Sequence, residues 1–501
     1  MTALPEMQVA RKAGGAGMLE LNIRGGARIC VPYDLDSISS YVLLEQEDWF
    51  EEEIRFVRRW LQPGMQAVDI GANVGVYTVA MAKAVGKRGR VWAFEPTPET
   101  ADILRLNVQL NDAAHVDLRR AAVSEREGTI AFSVGADPVA NAVPAGGVAG
   151  AGDIECAAVT LDRTAAEQDW RAVDFIKMDV EGHEREALSG GARFLATASP
   201  LLMVEVRKAD TVDLDLVDRI VKMGYDVYRL LPGPLMLAPF DRSAPADAYL
   251  LNVFACKPDR AAKLAAGGFL AGSAAGESAA PAKNSWARYL RDAPYARDLS
   301  GQWPRRPGWF APADARTYAE GLDAFALSRD AERSPAERLA WLARAFQCVE
   351  EALAARDSVA RRISCARLAA ELGWRHAAVA ALRRNVEPAL ADVLTPPAEP
   401  FLAPSARHER MRAGTDAAGW LKCALVEEFE RQRAFSSFYL KANSIDLIGA
   451  IAHLPFCSAE MERRRQLVRI RHGLQKRPEP AALLREHSED NLNPQFWSGA
   501  T

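Results

Sequence analysis

Between Ala67 and Lys257, short apolar runs alternate with amphipathic stretches, and no other feature of the chain restricts its fold as much. AVDI (67–70), VWAFE (91–95), FIKMD (175–179), LLMVEV (201–206), YDVYRLL (225–231) and YLLNVFACK (249–257) read as buried strands. VYTVAMAKAV, ETADILRLNVQLN, HEREALSGGARFL and LDLVDRIVKMG carry apolar residues at helical spacing. Strands and helices in this succession need crossovers between parallel strands, so the predicted class is α/β with a doubly wound sheet. Upstream, MLELNIRGGARICVPY reads as a hairpin and EDWFEEEIRFVRRWLQPG as a helix leading into the sheet.

The alternation ends where large side chains run out. Of the 24 residues from Arg260 to Lys283, 10 are Ala, 4 Gly and 2 Ser, which predicts a linker. Beyond it the strand signals vanish. AERLAWLARAFQCVEEALAA, ARRISCARLAAELG, RHAAVAALRRNVE, LKCALVEEFERQ and AEMERRRQLVRIRHGL all have helical periodicity. The expected domains are therefore a hairpin lead-in at 1–44, an α/β domain at 45–258, a linker at 259–284 and a mostly α-helical domain at 285–501. Within the last, 285–312 is aromatic- and Pro-rich and reads as irregular. Gly373, Ala378 and Leu382 have the offsets of one tetratricopeptide-type unit, which alone makes no solenoid. Trp303, Trp309 and Trp374 could stack on sugars, although Trp in a helical domain more often fills the core.

Composition excludes whole classes. With 49% hydrophobic and 26% charged residues in 501, global disorder is ruled out. Lys+Arg 62 against Asp+Glu 66 gives a net charge of -4, unlike a chain built to neutralise nucleic-acid phosphates. The helix at 461–477 is a local exception, with seven Lys/Arg against one Glu, and is read first as a solvated face. The seven Cys are scattered and never spaced Cys-x-x-Cys, which fits a reducing compartment. Without an apolar run of about 18 residues no transmembrane segment is expected, and the expected location is cytoplasmic.

Asp69-Ile70-Gly71-Ala72-Asn73-Val74-Gly75 follows a buried strand and opens a helix, the place where open α/β sheets bind nucleotides. Its glycines allow a tight turn and close backbone approach to a ligand. Glu95, at the end of the next strand, can accept both hydroxyls of a ribose. Asn73 stands where a dinucleotide site wants a small residue under the pyrophosphate. Asp69 would repel a diphosphate and welcome the ammonium of a methionine moiety. These two details favour S-adenosylmethionine over a dinucleotide.

The blocks VDIGANVGVYT, FEPTPET, AAVSEREGTIAF, TLD (160–162), FIKMDVEGHEREALSGG and LLMVEV, in this order, resemble the FkbM family of S-adenosylmethionine-dependent methyltransferases. The resemblance spans roughly Glu45 to Lys257. It implies a Rossmann-like class I methyltransferase sheet of seven strands, the last antiparallel, and mostly O-methylation of sugars or natural products. It also implies that Asp69, Gly71, Ala72, Asn73, Gly75 and Glu95 contact the cofactor and that Ala122 and Val123 lie near the adenine.

The strand ending at Asp179 delivers Lys177, Asp179, Glu181, His183 and Glu184 within eight residues. Glu205 interrupts another apolar run and needs a partner, for which Lys177 is the expected candidate. Methyl transfer from a sulfonium requires alignment of acceptor and methyl, and removal of a proton from the acceptor. His183 suits the base, with Asp179 and Glu181 orienting it or binding hydroxyls; His183 could equally cap the helix that follows. Asp179, Glu181, His183 and Glu205 follow no known metal spacing, and no metal is expected. No Asn-Pro-Pro-Tyr-like segment follows the fourth strand, so nucleic-acid N-methylation is not expected. The glycine-rich loop 135–152 is either a flap over the acceptor or a plain excursion.

The expectation is thus a methyltransferase acting on a hydroxyl of a glycan or small-molecule acceptor. The alternative is a methyltransferase fold whose helical half recruits it, as a protein-interaction module, to a polysaccharide-biosynthesis complex.

Overall fold

The structure, a computed structural model, describes residues 17–132, 154–170, 172–208, 211–245, 247–272, 285–303, 312–440 and 442–475. Contacts divide the chain into two units: Met1–Leu230 with Leu237–Phe269, and Leu231–Met236 with Leu270–Thr501.

The first unit opens with the hairpin β1 (Met18–Ile23) and β2 (Ala27–Pro32), then α1 (Ile38–Gln46) and α2 (Glu53–Trp60). The strand–helix alternation follows as β3 (Gln66–Ile70), α3 (Val76–Val85), β4 (Arg90–Phe94), α4 (Pro98–Leu110) and β5 (Val116–Arg119). A small three-stranded sheet interrupts it, from β6 (Ala122–Val123), β7 (Gly128–Phe132) and β8 (Ile154–Val159), in the order β6-β8-β7. Then come α5 (Leu161–Glu167), β9 (Phe175–Met178), α6 (Glu184–Gly190), α7 (Ala192–Thr197) and β10 (Leu201–Glu205). The unit closes with the short pair β11 (Arg207–Lys208) and β12 (Thr211–Val212), α8 (Leu214–Lys222), β13 (Asp226–Leu231), β14 (Met236–Pro239), β15 (Asn252–Cys256) and α9 (Pro258–Ala266).

The main sheet has the order β14-β13-β15-β10-β9-β3-β4-β5. From β10 to β5 the neighbours are parallel, and β15 runs antiparallel to both β10 and β13. This is the class I methyltransferase plan with one more strand than the seven expected, β14 at the edge. Strands β3, β4, β9 and β10 are buried on both faces, which is why they read as unbroken apolar runs. All four point their carboxyl ends to one rim, where the loops 71–75, 95–97 and 179–183 meet.

Two boundaries differ from those expected. The hairpin is no separate lead-in: Asn107 of α4 accepts from the Cys30 N–H (2.6 Å) and donates to the Cys30 and Val74 carbonyls (2.9 and 2.8 Å). The linker reading fails over its first residues, which form α9. Its Arg260 pairs with Asp174 (3.0 Å), Leu264 is buried, and the Phe269 ring after it stands edge-on to Phe56. Three anchoring side chains suffice where composition suggested nothing to bury. Residues 273–284 and the loop 135–152 lie outside the described residues.

The second unit is helical, as expected: α10 (Ser285–Asp292), α11 (Pro294–Leu299), α12 (Ala313–Ser328), α13 (Pro335–Ala355), α14 (Val359–Glu371) and α15 (Arg375–Leu390). It continues through α16 (Ala406–Glu409), α17 (Ala417–Arg433), α18 (Asn443–Gly449) and α19 (Ala459–Arg471). The segment read as irregular supplies α10 and α11, and Tyr295 of α11 stacks on Trp420 in the core (5.1 Å). Gly373 makes the left-handed turn between α14 and α15, with Ala378 and Leu382 buried. Trp303 is buried in the core and Trp374 packs edge-on against Phe346; Trp309 lies outside the described residues. The basic helix turns two of its cations inward: Arg463 and Arg464 are buried, Arg464 pairs with Glu460 and the half-buried Arg465 with Glu462. Among the described residues no helix is long and apolar enough to cross a membrane.

Candidate active site

At the rim of the first unit's sheet lies a cleft of about 870 Å³, counting the part open to solvent. One end is the turn after β3. Gly71 and Gly75 have φ of 77° and 94°, and a Cβ on Gly71 would stand 1.7 Å from the Asp179 carbonyl oxygen, so only glycine fits there. Gly75 packs its bare α-carbon on Leu104 and caps α3. Gly71, Ala72, Asn73, Val74 and Glu95 line the cleft, as do Phe94, Ala122 and Val123. Glu95 is buried and held by two backbone amides: Asn73 N–H donates to one oxygen (3.0 Å) and Thr97 N–H to the other (2.9 Å). Burial pushes its carboxyl up, against these two bonds.

The other end carries Lys177, Asp179, Glu181 and His183, with Ser39, Trp49 and Tyr77. Lys177 sits in register with Asp69 on β3 and Met203 on β10. Its ammonium lies 3.1 Å from Asp179 and 3.8 Å from Asp69, and donates to the Gly71 carbonyl (3.4 Å). Burial works against that charge, but Asp179, Asp69 and Glu51 together hold Lys177 above its ordinary value. The expected Lys177–Glu205 pair is therefore not formed: Lys177 is spent on Asp69 and Asp179, and Glu205 lies two residues beyond its register position.

Glu205 instead faces acids. Oxygens of Asp179, Glu181 and Glu205 lie within 4.8 Å of one another, close enough to share a proton or a divalent cation. Burial pushes Glu205 up to about 11, and Asp179 and Glu181 add to it. His183 takes the N-cap position of α6 without a side-chain cap bond. Its Nε2 is 2.9 Å from Ser124 Oγ and its Nδ1 3.5 Å from Glu186. Burial lowers the imidazole's pKa against the pull of Glu186 and Glu125, so the ring is neutral near pH 7. Glu184 is buried and turns back to accept from Val180 and Gly182 N–H (3.0 and 3.2 Å), shaping the loop.

Asp69, Gly75 and Glu205 are not among the cleft-lining residues. Asp69 is wholly buried, takes the Thr78 hydroxyl (2.6 Å), and faces the Lys177 ammonium in place of one from a ligand. Ser39, Trp49, Glu51, Tyr77 and Ser124 are site residues that no motif in the sequence marks. The only hint was the aromatic and acidic density of EDWFEEE, which amphipathic periodicity explained equally well.

Residues 69–227 match the model of the methyltransferase FkbM domain. This stretch is an FkbM methyltransferase domain. The match begins at Asp69, within β3, and leaves β1, β2, α1 and α2 outside it. No curated protein matches the chain. Among solved structures, an FkbM methyltransferase from Methylobacillus flagellatus KT is similar at 20% identity and TM-score 0.26, over 38% of this chain and 43% of that one. The chain thus spans less than half the length of that protein. A SAM-dependent methyltransferase from Aquifex aeolicus is similar at 17% identity and TM-score 0.26, over 44% of this chain and 98% of that one. Aeropyrum pernix fibrillarin, solved with natively bound S-adenosyl-L-methionine, is similar at 12% identity and TM-score 0.26, over 50% of this chain and 100% of that one.

Proposed function

We propose that the chain is a cytoplasmic, S-adenosylmethionine-dependent O-methyltransferase acting on a hydroxyl of a glycan or natural-product acceptor. The observation that carries this reading is the single cleft that joins the glycine turn and Glu95 at one end to Asp179, Glu181 and His183 at the other. Its chemistry suits a sulfonium nucleoside. Glu95, Asp179 and Glu181 put carboxylates on the wall, and its one lysine, Lys177, is already paired. Such a wall favours a cationic ligand and disfavours phosphate-bearing acceptors.

Glu95, immobilised by the Asn73 and Thr97 amides, keeps lone pairs for ribose hydroxyls. Gly71 to Val74 provide the backbone floor, and Phe94, Ala122 and Val123 the apolar flank for a base. When bound, S-adenosylmethionine supplies a methyl group already activated on its sulfonium. The protein's work is alignment and proton removal. Neutral His183, oriented by Ser124, takes the hydroxyl proton, and Glu186 beside Nδ1 favours the imidazolium that forms. Asp179, anchored by Lys177, and Glu181 accept from acceptor hydroxyls and set their direction.

Mass spectrometry of glycans and secondary metabolites, with and without the gene, tests the acceptor class. A product lacking one methylene mass unit at a hydroxyl supports the reading. Loss of a methyl from an amine or from RNA contradicts it.

A further inference from the structure

We propose that the segment 38–53, upstream of the FkbM domain, completes the active site, with Glu51 as a positioning residue that fixes Tyr77 and, through its ring, Lys177. The proposal rests on the methyltransferase reading and extends it to residues the family match leaves out.

Ser39 of α1 and Trp49 of the α1–α2 connection stand in the cleft wall. From the same connection Glu51 accepts the Tyr77 hydroxyl (2.6 Å), and both side chains are buried. Tyr77 belongs to the first turn of α3, directly after the glycine turn. Its ring lies under the Lys177 ammonium, 5.2 Å from Nζ to centroid. Lys177 in turn pairs with Asp179 and donates to the carbonyl of Gly71. The contacts thus run from Glu51 to Tyr77, to Lys177, to the turn that floors the cleft. A tyrosine ring anchored at its hydroxyl holds one orientation; without the anchor it can tilt away, and the ammonium above it shifts between its two carboxylates. The contact route from Glu51 to the turn therefore passes through one hydrogen bond, and the Glu51 charge adds to it by helping to hold Lys177 charged.

Calorimetric titration of the full chain with S-adenosylmethionine tests this. Glu51→Ala is expected to weaken binding about tenfold, the size of one hydrogen bond to a charged group. Tyr77→Phe, which keeps the ring and loses the anchor, should weaken it too, by no more than Glu51→Ala does. The double variant should be no weaker than Glu51→Ala, because both substitutions break the same hydrogen bond. Glu51→Gln, which still accepts from the hydroxyl, should bind within about twofold of the unmutated protein. A loss without such rescue, additive losses, or unchanged affinity in both single variants would overturn the proposal. If Glu51→Ala does not fold, Tyr77→Phe against Glu51→Gln decides alone. Failure of the unmutated protein to bind would overturn the methyltransferase reading, and this inference with it.

Discussion

Lys177 and Asp69 stand opposite each other in register on adjacent parallel strands, the ammonium 3.8 Å from the carboxylate and both side chains buried. With Asp179 on the other side of the same ammonium, one cation balances two acids at the floor of the cleft. Removing it leaves both uncompensated. Lys177→Met should cost about 3–5 kcal/mol in chemical denaturation, and adding Asp69→Asn should return part of that loss. Equal stability of Lys177→Met and the unmutated protein would contradict the pairing.

Gly71 is held at positive φ against the Asp179 carbonyl, so Gly71→Ala has nowhere to place its methyl. The turn must open, which should cost at least about 2 kcal/mol and remove cofactor binding together with stability. Gly182→Ala is the informative comparison. It also has positive φ, but its Cβ would meet nothing within 4 Å, so its cost should stay near 1 kcal/mol.

Glu205 gives a pH signature. Its carboxyl is pushed up to about 11 by burial and by Asp179 and Glu181, so the folded chain holds a proton that the unfolded chain releases near pH 4.5. The folded state binds more protons throughout this window, so this group's contribution to stability is fully present below about 4.5 and is lost as pH rises toward 11. Glu205→Gln mimics the protonated form. It should raise the melting temperature by a few degrees at pH 8 and leave it nearly unchanged at pH 4.5. A Gln variant that melts lower at pH 8 would contradict the acid cluster.

Much of this was legible in sequence, and the illegible part has a physical cause. Strands buried on both faces must be apolar throughout, so β3, β4, β9 and β10 announced themselves. Glycines forced by positive φ and a carboxylate at a strand end marked one end of the cleft equally well. Which acid Lys177 would choose was not readable, because Asp69, Asp179 and Glu205 differ only in register, and register is a property of the assembled sheet. Tyr77 and Glu51 were passed over for a similar reason: each looked complete within its own helix or lead-in. Helix α12 buries Tyr318, Leu322 and Phe325 at helical spacing, a pattern the sequence expectations leave out. The basic helix reads as a solvated face, and the structure corrects this for Arg463 and Arg464, which are buried; which arginines find acids inside is again a matter of packing, not of sequence.

The revised end of the first unit is testable by truncation. A protein ending at Lys257 lacks Leu264, Phe269 and the Arg260–Asp174 pair, whereas one ending at Phe269 keeps them. Full burial of Leu264 and partial burial of Phe269 are worth about 2–4 kcal/mol, so the shorter protein should melt about 5–10 °C lower. Equal melting temperatures would restore the boundary at residue 258.

The central claim is that the cleft binds S-adenosylmethionine through the turn after β3 and Glu95, and calorimetric titration of the full chain measures it most directly. Saturable one-to-one binding is expected, weakened about tenfold to a hundredfold by Glu95→Ala, which removes hydrogen bonds to a charged group. No detectable binding by the unmutated protein, or binding that Glu95→Ala leaves unchanged, would contradict it.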